Sequence, residues 1–299
     1  MTHFPCPQCS GSSSLAFRAH DTNRRMTNEL FDYHRCEQCG LLFLASIPRN
    51  LGDFYPTDYY EIPATKADLA SRASALQGPK LDIVRRYHAY GRLLEIGPAY
   101  GLFSYLAKLN GFDVTAVEMD ARCVDFLRST VGIQVVYGLA SAELIQPLPL
   151  FDVIVMWQVI EHLADPWSFL DELAMHLAPG GTVIIDTPNP DAFQFRLLAG
   201  RWTHVDAPRH TTLIPASVLT ARLARHGLAC CLLETDGPIA IGYNSFGWAY
   251  SLKNMFIHSM GQRIAFFLGR VLGKLLAPVE RTGNRGSTYT AVFKKQGKT

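Results

Sequence analysis

From Gly91 onward, short apolar runs alternate with stretches whose apolar residues recur every three to four positions. That alternation is the pattern of buried strands joined by crossover helices. It predicts strands at 93–96, 114–118, 133–137, 153–156 and 183–186. Helices are predicted at 103–110 with Gly111 as the stop, at 121–129, at 167–177, and at 217–226 with Gly227 as the stop. Apolar segments at 228–233 and 288–293 complete the sheet, and no internal repeat is evident. The fold class is α/β, a parallel sheet with crossover helices.

The pattern differs at both ends. Residues 48–79 hold four prolines and the aromatics Phe54, Tyr55, Tyr59 and Tyr60, and read as a linker with a helical cap. Residues 1–45 carry two C-x2-C knuckles, Cys6-Pro7-Gln8-Cys9 and Cys36-Glu37-Gln38-Cys39. Four thiolates so paired suit a tetrahedral, structural Zn2+; the alternative is two unconnected thiol pairs. Leu15, Phe17, Leu30, Phe31 and Tyr33 could form a hairpin over them. Cys123, Cys230 and Cys231 lack a partner pattern and read as core residues. Near the other end, Arg263, Arg270 and Lys274 fall on one helical face, opposite Leu268, Leu272, Leu275 and Val279, with Ala265, Gly269 and Gly273 as a small-residue stripe and Pro278 as the end. The chain thus divides into a zinc ribbon (1–45), a linker and cap (46–79), a nucleotide-binding domain (80–239), and a basic amphipathic segment with the last strand (240–299).

Composition narrows the options. With 299 residues, 48% hydrophobic and 18% charged, disorder and collagen-like architectures are excluded. No signal-peptide pattern precedes Cys6, and no apolar run approaches the roughly 20 residues that span a bilayer, so a cytoplasmic location is expected. The net charge of +2 is unevenly spread: residues 240–299 carry nine basic side chains against Glu280 alone. Residues 1–45 carry four Arg, four acids and no Lys, which argues against nucleic acid as the ribbon's partner. The basic segment packs on the domain or lines the acceptor pocket, or it meets an anionic membrane peripherally through residues 250–280.

Leu93-Leu94-Glu95-Ile96-Gly97-Pro98-Ala99-Tyr100-Gly101 is a strand entering a tight glycine turn and then a helix, the place where α/β sheets bind nucleotides. A dinucleotide fingerprint would need small residues where Ala99 and Leu102 stand, which weakens that reading. Glu118, at the end of the second strand, can accept ribose hydroxyls of any adenosyl ligand. Glu95 favours a cationic ligand over a pyrophosphate.

These residues resemble the class I S-adenosylmethionine-dependent methyltransferases. The run from Glu95 to Gly101 is similar to their first motif, and Val117-Glu118-Met119-Asp120 to their ribose-binding strand end. The segment from Phe151 to Leu163 is similar to their fourth strand and following turn, and Leu177-Ala178-Pro179-Gly180-Gly181-Thr182 to the loop before the fifth. The resemblance covers about residues 78–235 and implies a Rossmann-like seven-stranded sheet with a reversed last hairpin, here with an N-terminal zinc ribbon and a C-terminal helical extension. It implies S-adenosylmethionine contacts from Glu95, Gly97, Pro98, Ala99, Gly101, Glu118, Met119 and Gln158. Ala99 departs from the usual middle glycine, and Leu139 and Ala140 stand where many relatives hold an acid near the adenine.

The transfer calls for a base at the acceptor. His162, just past the fourth strand, is one candidate; a structural histidine fixing its turn through Glu161 is the other reading. His210 is the second, favoured over His204 because similar small-molecule enzymes carry a histidine there; alternatively Asp206 and Arg209 simply pin that loop. The Gln158-Val159-Ile160-Glu161-His162 turn also resembles the ubiquinone-pathway O-methyltransferases, where two acids and a histidine gather a divalent ion. Gln158 replaces the first acid, so catalytic Mg2+ is not expected. The expected function is methyl transfer, chiefly to oxygen, on a small-molecule or a glycan- or lipid-linked acceptor. A zinc-ribbon ribosomal RNA methyltransferase and a non-catalytic adenosyl-binding module are the alternatives.

Overall fold

The computed structural model describes residues 4–56 and 59–296. Ser13–Ala19 (β1), Phe31–Cys36 (β2) and Leu42–Leu44 (β3) form an antiparallel ribbon. The cap follows as helices Lys66–Leu76 (α1) and Gly78–Arg85 (α2). Thr65 caps α1 by accepting from the Asp68 N–H, and Pro79 opens α2, where its missing N–H is not needed.

The domain then alternates Gly91–Ile96 (β4), Leu102–Leu109 (α3), Phe112–Glu118 (β5), Ala121–Phe126 (α4), Gln134–Tyr137 (β6), Ala142–Ile145 (α5), Phe151–Trp157 (β7), Pro166–Met175 (α6) and Leu177–Pro188 (β8). Asp120 and Asp165 cap α4 and α6 with side-chain oxygens. Next come Phe193–Leu198 (α7), Thr212–Leu213 (β9), Ala216–Ala224 (α8), Leu228–Glu234 (β10), Pro238–Asn254 (α9), Ser259–Glu280 (α10) and Thr288–Lys295 (β11).

Seven strands make one sheet in the order β10-β11-β8-β7-β4-β5-β6, with β11 alone antiparallel to its neighbours. This is the seven-stranded sheet with a reversed hairpin that the motifs imply. Successive strand residues face opposite sides. Leu94, Ile96, Ile154, Met156 and Ile185 therefore build one apolar layer with α6 and α8, while Leu93, Val153, Val155 and Ile184 build the other with α2 and α3.

Several expectations are corrected. The hairpin over the cysteines gains a further strand: β9 pairs with β3 as Leu42↔Leu213 and Phe43↔Thr212, so the four-stranded sheet joins the ribbon to a segment far along the chain. Leu15 and Leu30 are exposed, whereas Phe31 and Tyr33 are buried and Phe17 stacks on Tyr33. Cys123 is buried, but Cys230 and Cys231 are exposed, because β10 is the sheet's edge strand and a bulge interrupts its register between Cys230 and Leu232. The basic amphipathic helix is α10, packed on α9 as a hairpin, and it runs through Pro278 to Glu280 instead of ending at the proline. Leu268 and Leu275, opposite its basic residues, are exposed, whereas Ala265, Gly269 and Gly273 are buried.

Candidate active site

The carboxyl ends of the parallel strands carry the glycine turn. After β4 the chain passes through Gly97 (φ +64°), Pro98 and Ala99 (φ +52°) to Gly101 (φ +81°), which caps α3. A Cβ on Gly97 would sit 2.8 Å from Val159 Cγ2, so conformation and the close approach of the post-β7 segment both require glycine. Ala99, despite its methyl, holds a left-handed conformation and donates its N–H to Glu118 Oε2 at 2.9 Å.

Glu118 Oε1 accepts from the N–H groups of Met119 and Asp120, each at 2.8 Å. With three backbone donors on one carboxylate, room for about one further donor remains, less than the paired ribose hydroxyls expected of it. Burial raises its pKa against those donors. Met119 is substantially exposed beside it.

Glu95 is buried and accepts from the Ser104 hydroxyl. Burial pushes it up to about 7, with Ser104 and Lys80 opposing. Its charge at neutral pH is thus partly quenched, which weakens the electrostatic role expected of it.

Lys80, on α2, was not singled out by sequence reasoning. Its ammonium lies 5.1 Å from the Trp157 ring centroid, and burial lowers its pKa while Glu95 and Asp186 raise it. Asp186, wholly buried, accepts from Thr290 Oγ1 at 2.7 Å and from Gln158 Nε2, and burial pushes it up to about 6. Gln158 takes φ +58° and donates its backbone N–H to the Asp186 carbonyl at 2.7 Å. Lys80 thus lies within electrostatic reach of both acids, Glu95 and Asp186. A cation among carboxylates suits a ligand carrying both a carboxylate and a positive centre, which fits S-adenosylmethionine and not a pyrophosphate.

The two candidate histidines come together. Their rings lie 4.4 Å apart, centroid to centroid, at 84°. His162 Nδ1 is 3.2 Å from the Arg209 carbonyl and 2.9 Å from Tyr55 Oη; His210 Nδ1 is 2.8 Å from the His204 carbonyl. A carbonyl can only accept, so the neutral His210 ring carries its proton on Nδ1 and presents a lone pair at Nε2; His162 Nδ1 meets both a carbonyl and the Tyr55 hydroxyl, which can accept from it or donate to it. Burial pushes His162 down to about 4 and His210 down to about 3, keeping both neutral. His204 lies against Trp202 and the Tyr243 carbonyl instead. Tyr55 had no distinguishing signal beyond its aromatic cluster.

The loop bearing His210 is held by charge. Arg209 donates to Asp206 and to Asp21 of the ribbon segment, at 2.7 and 2.6 Å from Nη2. Although burial opposes it, the Arg209 hydrogen bonds hold Asp206 down to about 2. Glu161, fully buried, accepts from Thr187 Oγ1 at 2.9 Å, and its Oε1 has no hydrogen-bond partner among the described residues. Among the described residues, Glu161, His162 and His210 place one donor atom each within 4.8 Å of one another. Two neutral imidazoles with one carboxylate suit Mg2+ less than an all-oxygen set does.

Cys6, Cys9, Cys36 and Cys39 also gather within 4.8 Å, with Sγ–Sγ distances of 3.7 Å for Cys6–Cys39 and 3.5 Å for Cys9–Cys36. Zn–S bonds of about 2.3 Å in a tetrahedron place sulfurs about 3.8 Å apart, so the cluster fits zinc. The Cys39 N–H donates to Cys36 Sγ at 3.4 Å, and such donors hold Cys36 down to about 7 against burial.

A family model described as a methyltransferase domain matches residues 61–233. This chain belongs to that family, in the class that uses S-adenosylmethionine. The ubiquinone biosynthesis O-methyltransferase of Parvibaculum lavamentivorans is 33% identical over 212 residues, 68% of this chain and 81% of that protein. Its counterpart in a Caulobacter strain is 39% identical over 103 residues, and the match spans only 41% of that protein's length. In fold, the methyltransferase resembles an S-adenosylmethionine-dependent methyltransferase of Archaeoglobus fulgidus, with TM-score 0.51 and 17% identity over 75% of this chain and 94% of that one.

Proposed function

We propose that the protein methylates an oxygen of a small-molecule acceptor, free or linked to a lipid or glycan carrier. The His162–His210 pair carries this reading: two neutral imidazoles, each with Nδ1 tied to a carbonyl, offer Nε2 to an acceptor hydroxyl. The cofactor, when bound, supplies an electrophilic methyl on a sulfonium, so what remains is to orient the acceptor and receive its proton. In this reading Gly97, Pro98, Ala99, Gly101, Glu118 and Met119 hold the adenosyl portion. Lys80, Glu95 and Gln158 face the opposite, amino-acid end. Tyr55 fixes the His162 ring. The four cysteines hold a structural zinc ion that steadies the ribbon and, through β3 and β9, the segment leading from His210. A carrier-linked acceptor would be met at a membrane surface.

Incubation with methyl-labelled cofactor and separate RNA, lipid, glycan and small-metabolite pools tests the proposal. Label in a base-stable methyl ether outside the RNA pool is expected. Label confined to RNA, or cofactor binding without transfer to any pool, would overturn it.

A further inference from the structure

The helical hairpin leaves one surface without a partner among the described residues. On α10, Met260, Ile264, Phe267, Leu268, Val271 and Leu275 are 66%, 55%, 66%, 54%, 39% and 71% exposed. At about 100° per residue they occupy an arc of about 100°. Phe256 and Ile257, in the turn before α10, extend the same apolar surface and are exposed too.

This face cannot be a packing face turned the wrong way, because the opposite one is committed. A Cβ on Gly269 would lie 2.6 Å from Ala249 Cα and from the Trp248 carbonyl oxygen, so α10 rests on α9 backbone to backbone. Ala265 and Gly273 are buried along the same line. Glu280 Oε1 accepts from Gln194 Nε2 at 2.7 Å and Trp248 Nε1 at 2.8 Å, anchoring the far end.

The charge beside the apolar arc names its occupant. Arg263, Arg270, Lys274 and Arg281 fall within an arc of about 40° along one border. The segment's one acid, Glu280, is turned inside. A second copy would bring another cationic segment with no surface carboxylate to meet it. No helix among the described residues is long and apolar enough to cross a bilayer, which leaves the interfacial plane.

We propose that the outer face of α10 docks on an anionic bilayer, with its apolar stripe among the acyl chains and its four cations against lipid phosphates. The docking needs no particular acceptor and stands apart from the methyl-transfer reading.

The full chain would be sedimented with vesicles of phosphatidylcholine alone or mixed with phosphatidylglycerol. Binding at least tenfold stronger to the anionic vesicles, and weakened by salt, is expected. Phe267→Ser with Leu275→Gln should lower binding at least tenfold with S-adenosylhomocysteine affinity unchanged. Arg270→Gln with Lys274→Gln, all-surface changes that leave the α9 contact intact, should lower it several-fold. Equal binding to both vesicles, equal binding by the variants, or a lipid-free dimer that Phe267→Ser dissolves would each overturn the proposal.

Discussion

Arg209 Nη2 lies 2.6 Å from Asp21 Oδ1 across 188 residues of sequence, and neither side chain is exposed to solvent. Asp206 completes the arrangement at 2.7 Å, and its Oδ2 lies 4.0 Å from His210 Nε2. A cation enclosed in this way depends on both carboxylates, since losing one leaves buried charge unbalanced. Asp21→Asn should therefore destabilise the protein by about 3–5 kcal/mol. Chemical denaturation measures it; a change within about 0.5 kcal/mol would show that the pair does not hold the ribbon to the loop.

His162→Gln and His210→Gln should each lower kcat by about 10²–10⁴, the range of a positioned proton acceptor. Affinity for S-adenosylhomocysteine by calorimetry should hold. Unchanged turnover in both variants would remove the pair from the reaction.

Glu95 illustrates how burial writes pH dependence. Its pKa rises from an ordinary 4.5 to about 7 in the folded chain, so the folded state keeps a proton that the unfolded state gives up. Its contribution to stability is full below about 4.5 and is lost as pH rises through about 7. Glu95→Gln, which cannot ionise, should melt progressively higher than the parent as pH climbs from 5 to 8. Parallel melting curves across that range would contradict the shift.

Gly97→Ala forces a side chain into left-handed backbone and against Val159. A loss of about 1–3 kcal/mol in stability is expected, with S-adenosylhomocysteine affinity falling further than the melting midpoint explains. Wild-type affinity would mean that the turn yields easily.

For the zinc cluster, elemental analysis should find one zinc per chain, and Cys9→Ser should lower both metal content and melting temperature. Full-length protein purified without metal yet melting at the same temperature would refute a structural ion.

The parts legible from sequence were those with local signatures, namely the strand–glycine–helix turn, Glu118 at its strand end and the knuckles, together with the seven-stranded sheet and reversed hairpin that the family resemblance implies. Lys80 was not, because a lysine on a short helix has no local mark; only the fold brings it beneath Trp157. Asp21 and β9 were missed for the same reason, since a two-residue strand and a single acid acquire meaning from partners far along the chain. The cysteines of β10 were misread because composition does not reveal which strand stands at a sheet's edge. On α10 the small-residue stripe of Ala265, Gly269 and Gly273 was legible as a place for close packing, but its partner, the α9 backbone at Trp248 and Ala249, is set by the fold.

Because β9 takes its ladder from β3, the amino-terminal ribbon is not a detachable accessory. A chimera that exchanged the first 45 residues with those of a homologue would have to exchange the 202–213 loop as well, or it would strand a guanidinium without its counter-ion and unzip an edge. The two stretches act as one part, assembled from the first 45 residues and a loop beyond the middle of the chain.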